Sequence, residues 1–331
     1  MISILIPVYH NHKYSLSAIR SCLYYSNKID KIYVFDDNPT SPLMKFDKYN
    51  LLRHDKIIYH INNRNVGRIK NYNKLVKACK SNFYMMLDGD DLLSKDIDFD
   101  SIQSQLKLDS EIFLVVGLCK EFNFDINFSY SHRGPRRFGK VPGLGLLYDW
   151  VGSKNLLPHS ACIFQTKMVK NLGYYSDKFN NPEILLIRKI LLQSTVLSLN
   201  CVFSYWRKHN KNISLSFESG SLFRELRSLS QISNLLKQHS DLKRKLWIIK
   251  SVIFYLISSF HIIFSKTNSR YRVWMFYEKF IYEYAKKNFI YYISLVLAAP
   301  KIIALFSLTF LLSDKAFRSL MIYRKNWLYV K

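Results

Sequence analysis

Short apolar runs alternate with polar turns along the first 95 residues of the chain. Ser3-Ile4-Leu5-Ile6-Pro7-Val8-Tyr9 is apolar apart from its ends and the break at Pro7, the pattern of a buried strand close to its finish. His10 to His12 make a turn, and Leu16, Ile19, Cys22 and Leu23 then recur at helical spacing within residues 14–26. Lys31-Ile32-Tyr33-Val34-Phe35 predicts a second strand that runs into Asp36-Asp37-Asn38-Pro39, and Ile57 to Ile61 predict a third. A polar turn from Asn62 to Gly67 precedes a helical pattern over residues 68–80, and a fourth strand ends at Asp88. Strand, helix, strand, strand, helix, strand with short turns predicts an α/β fold around a parallel sheet. In such sheets ligands gather beyond the carboxyl ends of the strands, which is where the polar clusters near Tyr9, Asp37 and Asp88 fall.

The pattern is sparser after residue 95. Ile112 to Val116 predict a strand, and residues 131–140 form a basic, glycine-containing loop, either a mobile lid over a diphosphate or an exposed surface loop. Another strand follows from Cys201 and closes in Trp206-Arg207-Lys208-His209. Beyond Leu222 the apolar runs lengthen to Ile248–Phe264, Phe289–Ala299 and Ile302–Leu312, the last two separated by Pro300-Lys301. Each falls short of the roughly 20 apolar residues of a comfortable membrane span. Lys, Arg, Trp and Tyr flank them, as in helices lying in an anionic membrane interface, though a helical subdomain that packs or dimerises would read the same way. The chain thus divides into residues 1–215, with halves at 1–95 and 96–215, and a helical region at 216–331.

Charge sharpens the second part of that division. The chain carries a net +25, and residues 200–331 hold 22 Lys or Arg against 6 Asp or Glu. An excess of this size calls for an anionic partner, and the long apolar runs favour a membrane surface over nucleic acid. The five cysteines are scattered and odd in number, which predicts reduced thiols in a cytosolic protein. Met1 leads straight into a strand pattern, so no secretory signal is expected.

The densest candidate chemistry is Leu87-Asp88-Gly89-Asp90-Asp91. In an extended backbone Asp88 and Asp90 share a side, and Gly89 allows a tight turn or a close ligand. Carboxylates this close suit a hard divalent cation such as Mg²⁺ or Mn²⁺. They would also serve as a solvated acidic turn capping the next helix.

The series Ser3 to Tyr9, Phe35 to Asn38, Asn65-Val66-Gly67 with Asn73 and Ala78, and Leu87 to Asp91 resembles the nucleotide-sugar half of family 2 glycosyltransferases, in order and in spacing. The resemblance implies the GT-A fold, with a nucleotide-sugar donor held beside a divalent metal. It would put Pro7 and Tyr9 around uracil, Asp37 on the base and Asp88 on the ribose. Asn65, Gly67, Arg68 and Asn73 would complete the donor site, and Asp88, Asp90, Asp91 and His209 the metal site. Where the family often has Arg, this chain has Tyr72, leaving Arg68 or Lys70 to supply the charge. The likeness resumes at Leu157 to Phe164 and Gly173 to Phe179, where an acid before Arg188 would act as catalytic base: Glu183, or failing it Asp177. Pro182-Glu183 is equally a standard helix opening.

Together these readings predict an inverting, metal-dependent transferase. It would move a sugar from a nucleotide donor, UDP-linked by expectation, to a lipid-linked, lipopolysaccharide or capsule glycan at the cytoplasmic face of the inner membrane, as a peripheral or monotopic protein and possible homodimer. Nucleotidyl or phosphosugar transfer would want a glycine-rich phosphate loop after Tyr9, and none is present. A non-enzymatic basic membrane-binding protein would leave the motifs of residues 3–91 unexplained.

Overall fold

A computed structural model of the chain describes residues 1–122, 132–151, 155–179, 181–209, 219–236, 241–267, 270–283 and 293–302. Its contacts divide it into two compact units, Met1–Leu147 with Asn155–Asn210, and Tyr148–Lys154 with Lys211–Lys331.

The first unit is built on one sheet. β1 (Ile2–Val8), α1 (His12–Leu23), β2 (Ile32–Asp36), β3 (Ile57–Ile61), α2 (Arg68–Ala78) and β4 (Phe83–Met86) follow the predicted order. They are succeeded by β5 (Leu92–Leu93), α3 (Phe99–Leu108), β6 (Ile112–Phe122), β7 (His132–Arg133), β8 (Gly139–Pro142) and α4 (Gly143–Asp149). β9 (Cys162–Gln165), α5 (Thr166–Asn171), α6 (Pro182–Leu191) and β10 (Thr195–Arg207) complete the unit. The strand order is β3-β2-β1-β4-β9-β6-β10-β5, with β7 on β6 and β8 on β10.

β3, β2, β1 and β4 are mutually parallel, so the carboxyl ends of β1, β2 and β4 open onto one edge, with Asp36-Asp37 beside Tyr9 and Asp88. β1 is buried along almost its whole length because both faces of a parallel sheet are covered, which is why it reads as a continuous apolar run. β9 is antiparallel to both β4 and β6, and β5 pairs antiparallel with the end of β10. The sheet is therefore parallel from β3 to β4 and mixed beyond it.

Several boundaries differ from the sequence reading for identifiable reasons. The first helix begins at His12, because Asn11 takes the left-handed conformation (φ 63°) and its carbonyl accepts from Tyr14 and Ser15. β6 runs on to Phe122 through Lys120-Glu121, two polar residues that an apolar pattern does not flag. β10 begins at Thr195, six residues ahead of the expected Cys201, and its pairing with β6 is interrupted by bulges around Ser198–Ser204. Within the basic loop, residues 132–133 and 139–142 form two short strands.

The second unit contains α7 (Ser219–Leu235), α8 (Asp241–Thr267) and α9 (Arg270–Glu283), and residues 293–302 are also helical. Its core gathers Leu229, Trp247, Val252, Leu256, Phe276 and Phe280. Trp247 Nε1 donates to the Trp150 carbonyl at 2.9 Å, and the Tyr277 hydroxyl donates to the Leu256 carbonyl at 2.6 Å. Among the described residues no helix is long and apolar enough to cross a membrane. Residues 210–218, which include the expected boundary near 215, and residues 289–292 and 303–312 of the last two apolar runs lie outside the described residues.

Candidate active site

The acids at the end of β4 are set by a turn, not by an extended backbone. Asp91 N–H donates to the Asp88 carbonyl at 2.9 Å, closing residues 88–91. Gly89 is held against β1: a Cβ there would lie 2.7 Å from the Pro7 carbonyl oxygen and 3.2 Å from Ser15 Oγ. The turn leaves Asp88 and Asp90 partly exposed and sends Asp91 inward.

The three carboxylates therefore do different things. Asp91 is buried, and its Oδ1 accepts the Arg207 backbone N–H at 3.0 Å. Burial, then the charges of Asp90 and Asp88, push its carboxyl well above the usual range. Asp90 Oδ2 meets His209 Nε2 at 2.9 Å across 119 positions of sequence. Burial and Asp88 raise the Asp90 carboxyl too, with His209 opposing them. Asp88 Oδ1 accepts the hydroxyl of Tyr72, which burial and this same carboxylate keep protonated far above the ordinary phenol range.

The four residues expected to hold a metal, Asp88, Asp90, Asp91 and His209, are not all drawn to one point. Among the described residues no group of three or more His, Cys, Asp or Glu side chains is placed to hold a metal ion. Asp91 is spent on the core, because the turn rotates it away from its neighbours. What remains is a carboxylate and an imidazole side by side at Asp90 and His209, both partly exposed. That pair fits a divalent ion that takes its other ligands from water and substrate phosphate, the usual habit of Mg²⁺.

His209 is delivered there by Arg207. The Arg207 side chain donates from Nε to the Asp90 carbonyl at 2.7 Å, and its guanidinium lies 4.4 Å from the Tyr14 ring centre and 4.7 Å from that of Phe122. This cation–π clamp fixes the end of β10 against the acidic turn, with the His209 ring 5.3 Å from Tyr14.

At the end of β1, Pro7 is the last residue but one of the strand and Tyr9 is exposed, its ring 3.9 Å from that of His10. Asp37 is only 3% exposed. Its Oδ1 accepts from Asn62 Nδ2 (2.9 Å) and Val66 N–H (2.8 Å), and its Oδ2 accepts Gly67 N–H at 2.8 Å. A carboxylate has about four lone-pair directions, so one on Oδ2 is left for a base. Asn65 Oδ1 shares the Gly67 N–H at 2.9 Å. Gly67 has φ +86°, a conformation that favours glycine, and from it α2 starts at Arg68. Asn73 acts as a tether: its Nδ2 donates to the Tyr175 carbonyl at 2.9 Å, and its Oδ1 accepts the Tyr175 N–H at 3.0 Å. Both ends of the amide are thus used by the backbone.

Glu183 sits in the first turn of α6, where the helix dipole favours a carboxylate. Arg68 Nη1 lies 3.5 Å from its Oε1, while Oε2 is buried with no hydrogen-bond partner among the described residues. Arg68 also stacks over Tyr72, its guanidinium 5.5 Å from the ring centre. Of the two cations considered in place of the missing Arg, Arg68 is the one brought to the site; Lys70 is exposed. Asp177 is exposed on the turn after Tyr175, and among the described residues it joins none of these bonds, so Glu183 is the candidate base the fold brings in. Tyr72 and Arg207 were not foreseen as site residues. Tyr72 was visible only as a departure from a motif, and Arg207 only as a neighbour of His209.

Comparison with known proteins gives a consistent picture. Residues 3–147 match the family model described as glycosyl transferase family 2. Uncharacterized glycosyltransferases of Rickettsia conorii and Rickettsia felis are 31% and 30% identical over 110 residues. That stretch is 33% of this chain and only 17% of the length of either relative. Among solved structures, S. aureus TarS residues 1–349 in complex with UDP-GlcNAc superposes with a TM-score of 0.61 at 15% identity, covering 81% of this chain and 76% of TarS 1–349. The mannosyltransferase PcManGT of Pyrobaculum calidifontis, in complex with GDP-Man and Mn²⁺, gives 0.50 at 11% identity, covering 91% and 86%. At these identities the likeness is one of fold, and the fold is GT-A.

Proposed function

Residues 3–147 match the model of glycosyl transferase family 2, and from that match we propose that the chain transfers a sugar from a UDP-linked donor to a glycan hydroxyl with inversion at the anomeric carbon. The pairing of His209 with Asp90, beside an Asp88 held by Tyr72, carries this reading. Two groups 119 positions apart meet at the sheet edge where a donor is expected, and a local turn gives no reason for them to do so.

In a single displacement the acceptor oxygen attacks the anomeric carbon, the bond from that carbon to the diphosphate oxygen breaks, and the acceptor proton passes to a base. Glu183 supplies that base, with its unpartnered Oε2 as the receiving atom and Arg68 steadying Oε1. Asp90 and His209 would hold a divalent ion, which when bound stabilises charge on the departing diphosphate. Asp37, Asn65 and Gly67 shape the wall on which the nucleoside rests.

The second unit supports an acceptor presented at a membrane. α9 exposes Trp274, Met275, Ile281 and Tyr282, and residues 200–331 carry 22 Lys or Arg against 6 Asp or Glu. Aromatic and basic residues together suit the headgroup region of an anionic bilayer, and hence a lipid-linked glycan at the cytoplasmic face.

Thermal melting with UDP, GDP, CDP and dTDP, each with and without Mn²⁺, tests the donor half of the proposal. A ligand that binds the folded state raises its melting temperature by mass action. A rise with UDP that needs Mn²⁺ is the expected result. A rise with another nucleotide alone would replace the donor, and no rise with any of the four would overturn the proposal.

A further inference from the structure

We propose that Tyr72 is a positioning residue that orients Asp88 on the donor side and, through Arg68, Glu183 on the acceptor side, a role that rests on the sugar-transfer reading above. The side chain is fully buried on α2, yet its two ends serve two acids. Its hydroxyl donates to Asp88 Oδ1. Its ring carries the Arg68 guanidinium at 5.5 Å, one helical turn back, and that guanidinium reaches Glu183 Oε1 at 3.5 Å.

The ring has no freedom to adopt another pose. The His159 ring stacks beside it (5.7 Å between centres, 29° between planes) and Tyr175 meets it edge-on at 5.4 Å. These two are themselves joined, His159 Nε2 to the Tyr175 hydroxyl at 2.8 Å, and that hydroxyl to Tyr84 at 3.0 Å on β4. Asn73 grips the Tyr175 backbone from the next position of α2. Packed this way, the phenol holds one oxygen of Asp88 and leaves Oδ2 without a protein donor among the described residues. A single donor occupies one oxygen and leaves the other open to a ligand, where a bidentate cation would occupy both.

A double-mutant cycle on UDP affinity, titrated calorimetrically in the presence of Mn²⁺, tests the role. Tyr72→Phe keeps the ring and removes only the hydroxyl; Asp88→Ala removes its acceptor. Each alone is expected to weaken UDP binding about tenfold or more, since hydrogen bonds to charged groups are worth that much. If Tyr72 acts through Asp88, the double variant binds no more weakly than Asp88→Ala alone. A hydroxyl that acts on UDP independently of Asp88 would give losses that multiply, and that outcome would sink the proposal. So would unchanged binding by Tyr72→Phe. The Arg68 link is read from Tyr72→Leu, which removes the ring: at saturating donor it should slow sugar transfer more than Tyr72→Phe does, and equal transfer rates in the two variants would remove that link.

A second measurement does not depend on either variant folding. 3-Fluorotyrosine placed at position 72 keeps the side chain, and its ¹⁹F resonance should move when UDP binds. A resonance that stays in place while UDP binds counts against the role. If the unaltered protein binds none of the nucleotides, the donor reading falls and takes this inference with it; binding by the unaltered protein with multiplying losses overturns the positioning role alone.

Discussion

Replacing Gly89 with alanine adds one methyl group at the tightest point of the acidic turn. An ideal Cβ there would stand 2.7 Å from the Pro7 carbonyl oxygen, 3.2 Å from Ser15 Oγ and 3.6 Å from Val8 Cγ2. Gly89 is not among the glycines with positive φ, so alanine is conformationally permitted and the effect is steric alone. Pro7 cannot retreat, because it lies inside β1, in register with Phe35 of β2. Reaching an ordinary contact near 3.4 Å then moves the turn outward by about 0.7 Å. The Asp90–His209 contact, 2.9 Å as it stands, would open beyond hydrogen-bond range if His209 stayed clamped through Arg207. Overpacking of this kind costs about 1–3 kcal/mol. For a unit of about 200 residues that lowers the melting temperature by roughly 2–12 °C. Calorimetric melting and UDP titration with and without Mn²⁺ measure both effects. Glycine-like melting with intact Mn²⁺-dependent binding would show that the turn absorbs the methyl group, and the close approach to β1 would lose its place in the site.

Three further outcomes are expected. His209→Ala should weaken Mn²⁺-dependent UDP binding about tenfold or more while leaving metal-free binding alone; equal losses with and without Mn²⁺ would argue against the Asp90–His209 pair as a metal site. Glu183→Gln, nearly isosteric, should hold UDP affinity within about twofold and slow sugar transfer by roughly 10²–10⁴-fold, read as UDP released from the donor; a fast variant would return the base to the unassigned acids. His159 is buried and its imidazole is held below the ordinary value of 6.5, with desolvation the leading cause. The unfolded chain therefore binds a proton that the folded one resists, so stability should decline as pH falls below about 6.5. Melting from pH 8 to pH 5 should show a shallower decline in His159→Gln, and an identical slope would place the acid sensitivity elsewhere.

The apolar runs of β1 to β4 were legible because a parallel strand covered on both faces must be apolar throughout, and their order alone implied the parallel sheet. Asp88 and Asp90 were legible as acids at a strand's end, though a turn and not alternation sets them. Their neighbour Asp91 was not, because alternation holds only while the backbone is extended, and the bond from Asp91 N–H to the Asp88 carbonyl ends it. The polar stretch at Lys120-Glu121 hid the length of β6, since its place in the sheet depends on pairing with β10 and not on its own hydropathy. Asn73 looked like a donor ligand by position in a motif, yet its amide is consumed by Tyr175, 102 positions away.

The same division runs through the whole site. Sequence determined the strands, their carboxyl-terminal acids, the glycine turn before α2 and the acidic start of α6, all properties of a few neighbouring residues. Tertiary structure decided which of those groups meet. His209 reaches Asp90 through a clamp of Arg207 between Tyr14 and Phe122, and Arg68 reaches Glu183 across the face of Tyr72. Charge pairing and ring stacking act over a few ångströms in space, and separation along the chain carries almost no information about that distance.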